Sequence, residues 1–360
     1  MHITFYILCF YDNIAYITRK DVAMKIYKLL FLLGLVILIS SCGKTTTSTT
    51  MPETADLVVY TYQEESIYGP IIKEYQERTN LSVRVVHSSY PELKDYLTSG
   101  TLPADCDVIF AADTALLESV PSYWEPYNSV ATPFVIEHFT SNANLWTAFS
   151  AQPLVIMYNT KIVTYQERPE GWDSLLNPRA QDKIAFMNPF LHDVYACALA
   201  AALKTTDTPA DYIESFAKNI NYTTIDSLSD LNHSIAEGSR SIGVTTEKMA
   251  LLLMENGADI DYLHPKEGVC ILVDGSAIVA GSHNPVEAKS FIDFTISKDV
   301  QFLLSSDLHR HSVRMDIPTS IHLVTPPLDA IYTSVSLLPE YEKVFAHWAK
   351  VFPSTSRERW

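Results

Sequence analysis

Residues Leu57 to Thr79 read LVVYTYQEESIYGPIIKEYQERT. Apolar Leu57, Val58 and Val59 run into Tyr60, a polar loop follows, and Ile71, Ile72 and Tyr75 then fall on one face at helical spacing. A short apolar run followed by a 3.6-residue period predicts a strand that feeds a helix through YTYQEESIYG. A loop that carries Tyr60, Tyr62 and Glu64 at the end of a strand can cradle a small ligand, hold a metal or merely connect.

The same alternation continues outward from this unit. Apolar runs at Ser82 to His87, Asp107 to Ala111, Leu154 to Tyr158, Ile184 to Met187, Ser241 to Val244, and Cys270 to Val273 leading into Ala277 to Val279 predict further strands. Helical patterns lie between them at Tyr90 to Thr98, Asp193 to Lys204, Pro209 to Asn219, Leu228 to Glu237, Thr246 to Asn256, Pro285 to Ile296 and Val300 to Leu304. Strands and helices in that order predict an α/β fold with helices on both faces of its sheets. In LVIMYNTKIV, polar Asn159, Thr160 and Lys161 follow a buried strand, which predicts that the chain enters a second sheet there.

The first forty residues differ from the rest. From Met24 the chain reads MKIYKLLFLLGLVILISSCGK: Lys25 and Lys28, an apolar run from Leu29 to Ile39, then Ser40, Ser41 and Cys42. A basic start and a short apolar run are the layout of a secretory signal, and the run is short for a membrane span. A Cys after two small residues resembles a bacterial lipobox, which implies lipidation of Cys42 and a translation start at Met24. The alternative is a plain N-terminal membrane anchor, and either places the bulk of the chain outside the cytoplasm. KTTTSTTMPETAD then reads as a flexible tether. Removing the leader leaves about 320 residues, more than one core usually holds, so two lobes are expected.

The formal charge of −16 excludes general electrostatic affinity for nucleic acid or anionic lipid. Of the five cysteines, Cys106, Cys197 and Cys270 lie beyond the leader in apolar surroundings without C-x-x-C spacing. Neither a zinc site nor a disulfide framework is expected, and buried thiols are.

The ordered segments VVYTYQEES, SVRVVHSS, ADCDVIFAAD, PLVIMYNTKIV, RPEGWDSLLNPRAQDKIAFMNP, HPKEGVCILVDGSAIVAGSHNPVEAKSFIDFTISKDVQ and HRHSVRMDI resemble the extracellular solute-binding proteins of ABC importers. The group includes ferric-iron, sugar-phosphate, phosphonate and thiamine binders. The resemblance implies a two-lobed periplasmic-binding-protein-like α/β fold with a mixed sheet in each lobe and a ligand cleft between them. It implies a monomer that carries a small-molecule solute to an ABC transporter permease, held by its lipid at the extracytoplasmic face of the bacterial membrane or in the periplasm, without a cofactor. The expected organisation is a signal sequence over 1–41, the lipidated Cys and tether over 42–55, a first lobe over 56–146, a second over 147–269, a return to the first over 270–315 and a C-terminal helical segment over 316–360.

Ligands of open α/β sheets sit beyond the carboxyl ends of strands, near helix starts. The candidate binding loops are therefore Tyr60 to Ser66, His87 to Tyr90, Asn188 to Asp193 and Thr245 to Glu247, with Tyr60, Tyr62, Glu64, Ser88, Ser89, Asp193, Thr245 and Thr246 as binding residues. Ser88 and Ser89 offer hydroxyls at a helix start, although Ser there also caps helices. Phe190, Leu191 and His192 depart from the small hydroxyl residues often found in that loop. Ferric binders of the group hold iron with a His in the first loop and a neighbouring pair of Tyr in the second lobe. Here Glu64 follows Gln63, and GVTTEKM contains no Tyr, which disfavours a direct ferric site. A phosphorylated or other small oxyanion is the first expectation, with ferric iron or thiamine as alternatives.

Catalytic motifs of the G-x-S-x-G, H-E-x-x-H, G-x-x-x-x-G-K and G-x-G-x-x-G types are missing, and eleven Gly in the chain leave little for a nucleotide loop. No enzyme is expected, with a surface lipoprotein hydrolase as the alternative of another class. The HRH run at His309 to His311 lies among charged residues and is expected to be an exposed loop.

Overall fold

The opening strand, β1 (Leu57–Thr61), is buried along its whole length. Parallel neighbours β2 (Val83–His87) and β3 (Val108–Asp113) flank it, and a parallel sheet of this kind is covered on both faces. Leu57 and Val59 pack into one apolar cluster with Ile67, Ile71 and Phe291. Val58 and Tyr60 point to the other, with Leu93 and Leu97. The helix that follows, α1 (Glu65–Thr79), buries Ile67, Ile71, Ile72 and Tyr75 and ends on Asn80, whose left-handed φ of 57° lets its N–H reach the Gln76 carbonyl. In this computed structural model residues 55–320, 323 and 331–352 are described. The expectations on the signal sequence, Met24 and Cys42 lie outside them.

The other strands are β4 (Trp124–Glu125), β5 (Thr147–Asn159), β6 (Ile184–Ala185), β7 (Ile242–Thr246), β8 (Ile260–Leu263), β9 (Val269–Val279) and β10 (Ile331–Thr333). The other helices are α2 (Tyr90–Ser99), α3 (Thr114–Ser119), α4 (Asp193–Leu203), α5 (Pro209–Asn219), α6 (Leu228–Ala236), α7 (Glu247–Glu255), α8 (Pro285–Thr295), α9 (Lys298–Asp307) and α10 (Ser334–Val351).

The strands follow the order β2-β1-β3-β9-β5-β7-β6, and β5 belongs to both halves of that path. Thr147 to Pro153 pair antiparallel with β9, while Leu154 to Tyr158 pair with β7 and Ile156 to Asn159 with β8. The chain therefore enters the second sheet in the middle of β5, several residues before the Asn159 to Lys161 segment that the sequence suggested. Asn159 instead ends the strand, with its side-chain amide on the Ile235 carbonyl at 2.8 Å.

The second sheet carries the largest apolar cluster, including Leu154, Trp172, Phe186, Phe216 and Trp348. The C-terminal α10 packs against α4 and α5, with Leu337, Val344 and Trp348 buried. Contrary to the expectation of free thiols, Cys197 of α4 and Cys270 of β9 form a disulfide. The expectation failed because the partners lie 73 residues apart in sequence and are brought together only by packing of α4 on β9. Cys106 is buried and free. Among the described residues no helix is long and apolar enough to cross a membrane.

Candidate functional site

Where the two sheets meet, strand ends and helix starts surround a cavity of about 280 Å³. Tyr62, Gln63, Tyr90 and Asp113 line it from the first lobe, and His192, Asp193 and Thr246 from the second. Gln152 of β5 and Leu272, Val273 and Asp274 of β9 complete the wall at the crossing strands. The Tyr62 and Tyr90 rings meet edge to face at 5.2 Å.

Asp113 reaches the cavity through an irregularity in β3. Its register with β9 shifts between Ile109 and Ala112, and Ala111 adopts a φ of 53°, which a residue with a Cβ adopts only when its surroundings hold it. The Gln63 side-chain amide donates to the Ala111 carbonyl at 2.7 Å, and the Ala111 N–H donates to the Ser276 hydroxyl at 3.2 Å. Beyond the bulge, Asp113 caps α3 by accepting the Ala115 N–H at 2.9 Å, and it accepts the Ser334 hydroxyl at 2.9 Å. Its own N–H donates to the Tyr62 hydroxyl at 3.1 Å. Burial, reinforced by Asp193 and Asp274, pushes the Asp113 carboxyl up to about 6 against these hydrogen bonds. The group keeps some exposure where it faces the cavity.

The other two carboxylates have cationic partners. Asp193 accepts the Tyr90 hydroxyl and the Lys94 ammonium, the latter at 2.8 Å, and the same ammonium stands 5.8 Å from the Tyr90 ring centre. Asp274 pairs with Arg310 and accepts the Ser150 hydroxyl at 2.7 Å. Arg310 also donates to Gln63 Oε1 at 2.8 Å, so one guanidinium ties the first loop to β9. Burial and the nearby carboxylates raise both phenols, Tyr62 chiefly by burial with Asp274 and Asp113, and Tyr90 chiefly by burial with Asp193. At neutral pH both are protonated phenols and not phenolates.

The HRH run is a correction. Arg310 is 4% exposed, and His311 hydrogen-bonds with Glu247, which is itself 1% exposed. Glu247 also accepts the Tyr262 hydroxyl at 3.0 Å, and His264 approaches it to 3.5 Å. The segment read as an exposed loop is a half-buried strap across the crossing strands, with Arg310 buried and the His311 N–H and carbonyl paired to Ala151.

Of the residues singled out in the sequence, Tyr62, Asp193 and Thr246 line the cavity. Tyr60 is buried in β1 and donates to Asp105 at 3.2 Å. Glu64 is exposed and faces Lys248 at 3.7 Å across the lobes. Ser88 is buried with its hydroxyl unpartnered, and Ser89 forms a capping box with Glu92 at the start of α2. Thr245 is buried in β7 opposite Val155. These five stand outside the lining, and the capping alternative accounts for Ser89. Phe190 stacks on Phe345 at 5.1 Å, which gives that departure a packing reason. Asp113, Asp274 and Arg310 were missed as site residues. They lie in segments that read as core or surface, and only the fold turns them toward Tyr62. Asp113 ends the run ADCDVIFAAD, where an acid after a buried strand is the signal that could have found it.

A likeness to known proteins accompanies this geometry. The major ferric iron-binding protein of Neisseria meningitidis is 22% identical over 296 residues, which cover 76% of this chain and 84% of that protein. An uncharacterized protein of Haemophilus influenzae is 24% identical over 188 residues, 50% of this chain and 54% of that one. Among solved structures, a ferric binding protein from Campylobacter jejuni superposes with a TM-score of 0.72 at 17% identity, over 82% of this chain and 99% of that one. The periplasmic binding protein AfuA from Actinobacillus pleuropneumoniae, with fructose-6-phosphate bound, superposes with a TM-score of 0.69 at 18% identity, over 82% and 98%. These neighbours share the two-lobed fold. The family described as bacterial extracellular solute-binding protein matches residues 110–322, a span that runs from the Asp113 bulge past the Arg310 strap, and the chain belongs to that family.

Proposed function

We propose that the chain is the solute receptor of an ABC importer, anchored outside the cytoplasm by lipid on Cys42, and that it acts by binding and not by catalysis. The observation that carries the reading is the cavity of about 280 Å³ at the junction of the two sheets, walled from both sides. Tyr90 and Lys94 on one lobe meet Asp193 on the other, and Glu64 meets Lys248. Such contacts form and break when lobes close and open, so they couple capture of a solute to the surface offered to a permease. The disulfide is in keeping with an oxidising location.

Relatives named for ferric iron and a neighbour holding fructose-6-phosphate support a small solute without fixing its class. Native mass spectrometry of the purified protein tests the role. A bound small molecule that leaves on unfolding is expected, and its release by Asp193→Ala would tie it to the cavity. A protein that neither carries nor takes up any small molecule would refute the receptor reading.

A further inference from the structure

The walls of the cavity are charged, and their balance can be read directly. Asp193 is met by Lys94 and Asp274 by Arg310. Asp113 has no ion-pair partner among the described residues and accepts only the neutral Ala115 N–H and Ser334 hydroxyl. One negative charge therefore faces the cavity without compensation, and a buried charge of that kind favours a cation beside it. An oxyanion would add to the excess, because the nearby cations Lys94, Arg310 and Lys248 are already paired with Asp193, Asp274 and Glu64.

The wall also displays how it receives a cation. The Lys94 ammonium sits 2.8 Å from the Asp193 carboxylate and 5.8 Å from the Tyr90 ring centre, the pairing of carboxylate and π-face that suits an ammonium group. Asp113 bonds Tyr62 through its N–H at 3.1 Å, and Tyr62 meets Tyr90 at 5.2 Å. Among the described residues no three His, Cys, Asp or Glu side chains converge on one metal position. The cavity of about 280 Å³ is also several times the share of one water, about 30 Å³.

We infer that the cavity takes a small organic cation, its ammonium or equivalent nitrogen seated on the Asp113 carboxylate and flanked by the rings of Tyr62 and Tyr90. This rests on the receptor role proposed above and names the class of its solute. Gln152 and the apolar Leu272 and Val273 then contact the uncharged part.

The test is isothermal titration of the purified protein with choline, putrescine and thiamine, and separately with glucose 6-phosphate, fructose 6-phosphate and inorganic phosphate. At least one of the three cations is expected to bind saturably and the three anions not to bind. Asp113→Asn keeps the helix cap and removes the charge, and is expected to weaken the cation roughly 10- to 100-fold, the range of a hydrogen bond to a charged group. Asp193→Asn, which frees Lys94 at the same wall, is expected to weaken it as well, and thermal melts establish that both variants fold. Binding of a phosphorylated compound without any of the cations overturns the inference and leaves the receptor role standing. Silence from all six also overturns it, and the solute found by mass spectrometry then decides the role separately. A cation that binds both variants as tightly as the parent places its site elsewhere and overturns it too.

Discussion

Replacing Asp113 by Asn should make the protein more stable at neutral pH. The folded carboxyl is raised from its ordinary 3.8 to about 6, so between those values the folded state holds a proton that the unfolded state has released. Stability from this group falls as pH rises through that window and stays at its lower level above it. At about 1.4 kcal/mol per unit, the burden at neutral pH is at most about 3 kcal/mol. Asn removes the charge but still offers an oxygen to the Ala115 N–H and the Ser334 hydroxyl, and it is as good a helix cap as Asp. Thermal melts of the two proteins at about pH 7.5 should therefore differ by a few degrees in favour of the variant. At about pH 3.5, below both values, the difference should vanish. A variant that gains nothing at neutral pH, or keeps its gain in acid, would refute the assignment of an uncompensated charge to Asp113. The same substitution is predicted to cost affinity, as expected where a binding site retains a destabilising group.

Three further outcomes are predicted. Reducing the Cys197–Cys270 bridge, or replacing both residues by Ala, should lower stability by about 4 kcal/mol for a closure spanning 73 residues; urea denaturation with and without reductant measures this, and an unchanged midpoint would contradict it. Glu247→Ala should cost about 1.5 to 3 kcal/mol because it removes the carboxylate that accepts the Tyr262 hydroxyl and bonds His311; an unchanged midpoint in the same assay would mean that the segment over the crossing strands is held by other contacts. Cys42→Ala should prevent lipid-dependent maturation, and a chain starting at Lys44 should leave the membrane fraction, whereas membrane retention of that shortened chain would refute anchoring by lipid.

Local signals carried much of the fold. The period change between Val59 and Ile71 marks β1 and α1, and Pro209 and Pro285 mark helix starts that the structure places at those residues. The short strands β4, β8 and β10 had no such signature, because their pairing partners lie far along the chain. The site was less legible for the same reason. Tyr62, Asp193 and Thr246 stand at strand or helix ends, where the general rule for α/β sheets looks for ligands. Gln63 and Arg310 are 247 residues apart and meet through one hydrogen bond, a pairing that no local pattern encodes. The HRH run misled because a buried Arg and a half-buried His look like surface residues until Asp274 and Glu247 are seen to face them.

A crystal structure of the protein with its captured solute would test the central claim most directly. The account predicts a solute between the two sheets, with its cationic group against the Asp113 carboxylate, at about 3 Å where that nitrogen carries an N–H, and its body against the Tyr62 and Tyr90 rings. A solute outside that cavity, or a phosphate or other oxyanion seated within it, would contradict the account.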